Sequence, residues 1–310
     1  MVMKIAIAGG TGFVGSSLVQ KLHQRGDRII VFSRNPDRAR KVFPPQAFAR
    51  VEIVPYTPNQ AGDWQKAVSG CDGVVNLAGE PIAEERWSPE VKDKILQSRQ
   101  QVTRHLVEAI AQAEAKPGVL VNASAVGYYG TSQTQVYDET SPPGNDFLAQ
   151  VCQTWEKEAQ NVKNSGTRLV ILRIGIVLGN GGAIAKMITP FRLFAGGPIG
   201  SGEQWFSWIH QEDLVNLILF ALDRSALNGV LNGTAPNPVS MKELCNTLGN
   251  VMQRPSWLPV PAFALELRLG DGAKVVLEGQ KVLPQATEAA GFTYKYPTIE
   301  PALAAVVAEI

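Results

Sequence analysis

The first half of the chain alternates short apolar runs with stretches of helical periodicity. Lys4–Ala8 predicts a first strand, and Phe13, Val14, Leu18, Val19 and Leu22 then recur at helical spacing, predicting a helix over Phe13–Arg25. The same pattern predicts strands at Arg28–Phe32, Val51–Val54, Gly73–Leu77, Val119–Ala123 and Arg168–Arg173. It predicts a brief helix at Asp63–Val68 and long helical stretches at Ser88–Ala115 and Phe147–Asn164, the former with Pro89 in its tolerant first turn. Strands apolar on both faces suit a parallel sheet covered on both sides. Strand–helix alternation with right-handed crossovers then gives an α/β fold, a Rossmann doubly wound parallel sheet.

After Ile174 the pattern changes. Gly175–Gly202 is glycine-rich and predicts loops near a ligand. Helices are expected at Asp213–Leu222 and Met241–Met252, a short strand at Val230–Asn232, and a tail from Arg254 that carries six prolines. The expected organisation is a nucleotide-binding domain over 1–174, rejoined by segments near 203–235, and a smaller C-terminal α/β lobe over 175–310.

Charge narrows the function. Lys plus Arg total 29 against 28 acidic residues, so no net field draws nucleic acid or an anionic membrane. Cys71, Cys152 and Cys245 are scattered, as are His23, His105 and His210, which predicts neither a disulfide framework nor a metal site. Every apolar run falls short of the roughly 20 residues that span a bilayer, so no membrane insertion is expected. The N-terminal run suits a strand better than a targeting signal, and the expected location is the cytoplasm.

The strongest chemical signal is GGTGFVG: Gly9, Gly10, Thr11, Gly12, Phe13, Val14 and Gly15. It follows a predicted strand and opens a predicted helix, the context a dinucleotide site requires. One glycine permits the tight turn, another lets backbone approach a pyrophosphate, and the last lets helix and strand pack. The helix N-terminus adds free N–H groups and partial positive charge. The second strand ends in Ser33 and Arg34, where an NAD site usually places Asp or Glu. A hydroxyl and a guanidinium suit a 2′-phosphate, so NADP(H) is the expected cofactor, with Arg38 one turn on. Leu77, Ala78 and Gly79 follow the fourth strand, at the edge where the adenosine side passes.

GGTGFVG, NLAG (Asn76–Gly79), ASAVGYYG (Ala123–Gly130) and WIHQEDL (Trp208–Leu214) resemble the extended or atypical short-chain dehydrogenase/reductases. With LRIGIVLGNGG, NGTAPNPVS, RPSWLPVP and EGQKVLPQ, the match is to the epimerase-family branch known as SDR39U, and it covers nearly the whole chain. The resemblance implies cofactor contacts at Thr11–Val14, Ser33, Arg34, Leu77 and Ala78. It also implies a ribose contact at Arg99, a contact at the nicotinamide end at Ile176, and a C-terminal domain near 254–303. Relatives often pair through the two long helices of the nucleotide half, and some carry a cell-division or giant-chloroplast label. The partner is therefore a small-molecule substrate or another protein, with the oligomeric state open.

The standard chemistry of that family needs Tyr and Lys in a YxxxK motif and a nearby Ser or Thr, with the Lys lowering the Tyr pKa. Setting Trp155-Glu156 on the usual glutamate puts Leu148 in place of the Tyr and Cys152 in place of the Lys. Ala125 falls in the serine's place, with Ser124 one residue off. Substitute candidates are Tyr128, Tyr129, Ser124 and Glu80. Two functions stay open: a reductase or epimerase-like enzyme with a non-standard acid, or an inactive NADP(H)-binding regulator. His210 is expected to be structural first. Trp205, Phe206 and Trp208 suit a pocket wall or an inter-lobe core equally.

Overall fold

The computed structural model describes residues 2–310. Seven strands make one parallel sheet: β1 (Lys4–Ala8), β2 (Arg28–Ser33), β3 (Val51–Pro55), β4 (Gly73–Asn76), β5 (Val119–Ala125), β7 (Arg168–Ile174) and β11 (Gly229–Gly233), in the order β3–β2–β1–β4–β5–β7–β11. Every neighbouring pair is parallel. The order reverses between β1 and β4, where Ala8 stands beside both Phe32 and Asn76. A crevice for a ligand opens beyond the carboxyl ends of strands at such a switch point.

Alternation along each strand feeds two cores. Ile5, Ile7, Val31, Val75, Val121 and Leu172 point to one face, against Leu18 and Leu22 of α1 (Phe13–Arg25) and Leu214, Leu217 and Ile218 of α6 (Gln211–Asp223). Ala6, Ala8, Ile30, Val74, Leu120 and Ile171 point to the other, against Val102, Leu106 and Ile110 of α3 (Pro89–Gln112). Each fully buried Leu, Ile or Val contributes about 1.5–3 kcal/mol. The expected doubly wound sheet is present, and α6 and β11 from the second half complete it.

A second body forms around Leu178, Ile184, Ile188, Phe191, Phe206, Trp208, Leu244, Leu248 and Leu303. Its helices are α5 (Gly182–Arg192), α7 (Met241–Met252) and α11 (Ile299–Ala308), with α8 (Ala262–Leu269), α9 (Lys274–Leu277) and α10 (Gln285–Ala289) in the tail. Short pairs lie outside the main sheet. These are β8 (Ile176–Leu178) with β10 (Trp208–His210), β9 (Trp205–Phe206) with β12 (Val239–Ser240), and β6 (Val136–Tyr137) with β13 (Lys281–Val282).

Two local readings need correction. Gly175–Gly202 is loop over only about half its length, because it also holds β8 and α5. Gly175, Gly179, Gly181 and Gly182 sit at the ends of these elements, while Ile184, Ile188 and Phe191 repeat at helical spacing and are buried. A short helix α2 (Pro36–Val42) was not expected. Asn35 caps it by accepting the Arg38 N–H, and Pro36 opens it, an N-terminal signature legible in the sequence.

Candidate active site and nucleotide cavity

The turn between β1 and α1 is packed so that only glycine fits it. Gly9 has φ +81°, and a Cβ there would lie 2.7 Å from the Leu77 carbonyl carbon. A Cβ on Gly15 would run into the Gly9 carbonyl oxygen. Gly10 faces inward, where a Cβ would meet Val31 at 3.0 Å, so its role is packing against β2. Gly12 caps α1 with no side-chain bond, and the helix's first back-bonded amide is that of Ser16, to the Gly12 carbonyl. The amides of Phe13, Val14 and Gly15 are therefore left for a ligand.

A cavity of about 1090 Å³ starts at this turn. Gly9, Gly12, Phe13, Val14, Gly15, Leu77, Gly79 and Arg99 line one end, with Ile176 further along. Asn76, fully buried, shapes the turn after β4: its amide donates to Thr103 Oγ1 and Asn122 Oδ1, and its oxygen accepts the Ala78 N–H. Thr11, Ser33, Arg34 and Ala78 do not line the cavity. The Ser33 hydroxyl donates to the Asn35 carbonyl and accepts the Asn35 N–H. Arg34 is exposed and meets Glu80 Oε1 at 2.6 Å.

The other end of the cavity holds the positions where family chemistry would sit. Leu148 and Cys152 line it, from α4 (Phe147–Gln160), with Ser124 and Ala125 of β5 opposite. Cys152 Sγ lies 3.7 Å from the Ala125 carbonyl oxygen, and burial pushes its thiol up to about 11, so it is neutral. The Ser124 hydroxyl donates to Glu156 Oε1 at 2.7 Å, and Glu156 also accepts two bonds of 2.9 Å from Arg173. Burial works against the Arg173 charge, but Glu156 and Tyr129 hold its pKa above the ordinary guanidinium value.

The other three acid candidates sit in different surroundings. Tyr129 is buried, donates to Asn232 Oδ1 at 2.7 Å and accepts from Arg173 at 3.1 Å; burial pushes its phenol up to about 12. Tyr128 lies outside the cavity lining, with the Arg173 guanidinium 3.3 Å over its ring. Glu80 also lies outside it, bound to Arg34. The Tyr129 hydroxyl and the Glu80 carboxylate thus each have a protein partner. Of the three aromatic residues near the inter-lobe contact, Trp205 lines the cavity, while Phe206 and Trp208 are core. His210 is buried: Nδ1 accepts the Glu212 N–H, Nε2 has no partner among the described residues, and burial lowers its pKa to about 4.

Sequence reading missed the wall that closes this end. Lys92, Thr131, Gln135, Asp271, Lys274, Glu278 and Gln280 line it. The segment from Glu278 to Val282 is clipped between two others. Ser132 N–H donates to the Gly279 carbonyl, Ser207 Oγ donates to the Gln280 carbonyl, and β13 pairs with β6. Only the EGQKVLPQ run hinted at it, since contacts across some 150 residues leave no local pattern. Among the described residues no group of His, Cys, Asp and Glu could hold a metal, and no helix is long and apolar enough to cross a membrane.

The residues present fit a dinucleotide: uncapped amides over a turn that admits no Cβ, and the Arg99 guanidinium on the cavity wall. Comparison with known proteins agrees. The description "NAD dependent epimerase/dehydratase family" matches residues 5–232, and a domain of unknown function, DUF1731, matches residues 260–306. The chain is 51% identical over 308 residues to the epimerase family protein SDR39U1 homolog, chloroplastic, of Arabidopsis thaliana, covering 98% of this chain and 87% of that one. It is 38% identical over 308 residues to the epimerase family protein YfhF of Bacillus subtilis, covering 99% of both. The crystal structure of the human epimerase family protein SDR39U1 (isoform 2) with NADPH superposes with a TM-score of 0.89 at 37% identity, covering 99% of this chain and 100% of that one. The chain therefore belongs to the NAD dependent epimerase/dehydratase family, among its SDR39U1-like members.

Proposed function

We propose that this chain binds NADP(H) along the cavity and acts as a reductase or epimerase-like oxidoreductase on a small molecule held at the Ser124 end. The single observation that carries the reading is the uncapped start of α1 over the Gly9–Gly15 turn, opening into a cavity larger than one ligand needs. Sites for one drug-sized ligand measure about 300–1,000 Å³, and this one reaches about 1090 Å³. The amides of Phe13, Val14 and Gly15 hold the diphosphate, Arg34 takes the 2′-phosphate once it leaves Glu80, Leu77, Ala78 and Gly79 flank the adenosine, and Ile176 bounds the nicotinamide end. When bound, the dinucleotide supplies or accepts a hydride. This chain's residues position the reactants and exclude water. Cys152, Leu148 and Tyr129 provide no mobile proton, so the proton comes from the substrate side or from solvent entering past Thr131, Gln135 and Glu278. In this reading the protein works in the cytoplasm, without membrane insertion and without nucleic acid, in keeping with its near-zero net charge.

One observation favours a second reading, a regulator that keeps the nucleotide and has no turnover: the polar groups nearest the missing Tyr–Lys pair are bonded to one another. Tryptophan fluorescence titration with NADPH and NADH, on wild type and Arg34→Ala, tests the cofactor. NADPH is expected to bind more tightly, and the substitution to weaken it roughly 10-fold while sparing NADH, the worth of one charge-assisted contact. Equal affinity for both nucleotides in wild type would sink the NADP(H) assignment. Single-turnover oxidation of bound NADPH across a carbonyl panel separates the enzyme from the regulator.

A further inference from the structure

Six large apolar side chains of the second body stand in solvent on two neighbouring segments. Leu193 and Phe194 follow α5, Trp257 and Leu258 follow α7, and Phe263 and Leu267 lie one turn apart on α8; each is 42–76% exposed. Phe194, Trp257 and Phe263 are the only exposed aromatic rings among the described residues. The two segments are pinned side by side. The Trp257 and Leu258 amides both donate to the Gly196 carbonyl at 3.0 Å, and the Gly200 amide donates to the Val260 carbonyl at 2.9 Å. A Cβ on Gly197 would run into the Leu258 carbonyl. Pro255, Pro259 and Pro261 stiffen the second segment. The two non-glycine residues with left-handed φ among those described, Phe194 at 61° and Gln253 at 54°, both belong to these segments. Strain of that kind gathers at functional sites, where the surrounding structure holds it. At Phe194 it presents a ring just past a helix end, where glycine is usual, and the Arg254 guanidinium lies 4.5 Å over that ring.

An aromatic side chain has roughly 150–250 Å² to bury, so the three rings alone expose on the order of 400 Å². With the three leucines the patch exceeds the few hundred Å² that a monomer ordinarily shows. It approaches the roughly 800 Å² that each side of a stable interface covers. Its charges over 192–199 and 253–268 are Arg192, Arg254 and Arg268 against Glu266, with no lysine. Aromatic rings with arginine and without lysine are the composition of a protein interface. If this face paired with itself across a two-fold axis, the arginines would confront one another. Three arginines also fall short of the roughly 4–8 basic residues by which a patch holds an anionic bilayer. We infer that this face docks an acidic, amphipathic segment of another protein. The apolar side of that segment covers Phe194, Trp257 and Phe263, and its carboxylates meet the arginines. None of the three rings lines the nucleotide cavity, so this binding function stands beside the proposed oxidoreductase and does not depend on it.

Two fluorescein-labelled peptides of about 18 residues, long enough to form a helix, test it. Both carry the same leucines and phenylalanines on one face, with glutamate on the other face of one and lysine on the other face of its control. They are titrated by anisotropy into the full chain, as wild type, Trp257→Ser, Arg192→Glu and Phe194→Gly, and each protein is also melted alone. Wild type is expected to bind the glutamate peptide at least roughly 10-fold more tightly than the lysine peptide, and less tightly as salt rises. Trp257→Ser and Arg192→Glu should each weaken that binding roughly 10-fold, the loss of one anchor or one ion pair. Phe194→Gly should weaken it similarly yet melt at the same or a higher temperature, because glycine accepts the left-handed backbone freely. Equal affinity for the two peptides, or none for either, overturns the inference, as does a Phe194→Gly variant that loses stability and keeps the peptide. So does a wild-type dimer in sedimentation velocity that Trp257→Ser dissolves, which seats a second copy on this face. Binding to phosphatidylglycerol vesicles that the same substitution abolishes overturns it in favour of a lipid surface.

Discussion

At the Gly9–Gly15 end of the cavity the polar groups face open space: the first amides of α1 have no side-chain cap, and among the described residues Arg99 forms no ion pair. At the Ser124 end they face one another. Ser124 and Arg173 are spent on Glu156, and Tyr129 is held between Arg173 and Asn232. Unspent donors are a binding site in waiting, whereas spent ones are scaffold. The chain thus retains the apparatus for holding a nucleotide, and in place of the usual proton-handling pair it has a closed internal network.

Perturbing each end should expose that difference. The largest expected effect is at the Ser124 end. Glu156→Gln leaves Arg173 buried without its carboxylate, and loss of one partner of such a pair costs about 3–5 kcal/mol. Urea unfolding should report that loss while NADPH affinity of the folded fraction stays near wild type; a large affinity loss with intact stability would make Glu156 part of the site instead. Next comes His210, whose pKa falls from 6.5 unfolded to about 4 folded, with Glu212 and Lys295 beside it. The unfolded chain takes up this proton first, so the contribution is complete above pH 6.5 and is lost as pH falls through 4, in all about 3 kcal/mol. The difference between wild type and His210→Gln, followed by denaturation from pH 7 to 4, should show that slope, and NADPH binding should not. The smallest effect on stability, about 1–3 kcal/mol, is expected for Gly15→Ala, where the new methyl collides with the Gly9 carbonyl. Isothermal titration should show that this variant has lost most of its nucleotide affinity, the reverse of the Glu156 result.

Legibility in the sequence follows the same divide. The GGTGFVG run states its own geometry, because glycine is demanded locally by φ and by backbone contact at Gly9 and Gly15. Leu148 and Cys152 announce the missing pair just as plainly, since neither side chain does what Tyr and Lys do. The fates of Tyr129, Ser33 and Glu80 were not legible. Whether a hydroxyl or carboxylate is free depends on its partner, and theirs are Asn232, Asn35 and Arg34.

By itself the sequence determined the alternating α/β architecture, the nucleotide turn and the family, because periodicity, glycine spacing and motif runs are properties of neighbouring residues. Only the tertiary structure decided which polar groups remain available. It brought Glu156 to Ser124, Glu80 to Arg34, and the segment around Gly279 onto Trp205, contacts that span 32, 46 and 74 residues. Hydrogen-bond capacity is finite and is allotted between distant segments only when the chain closes on itself.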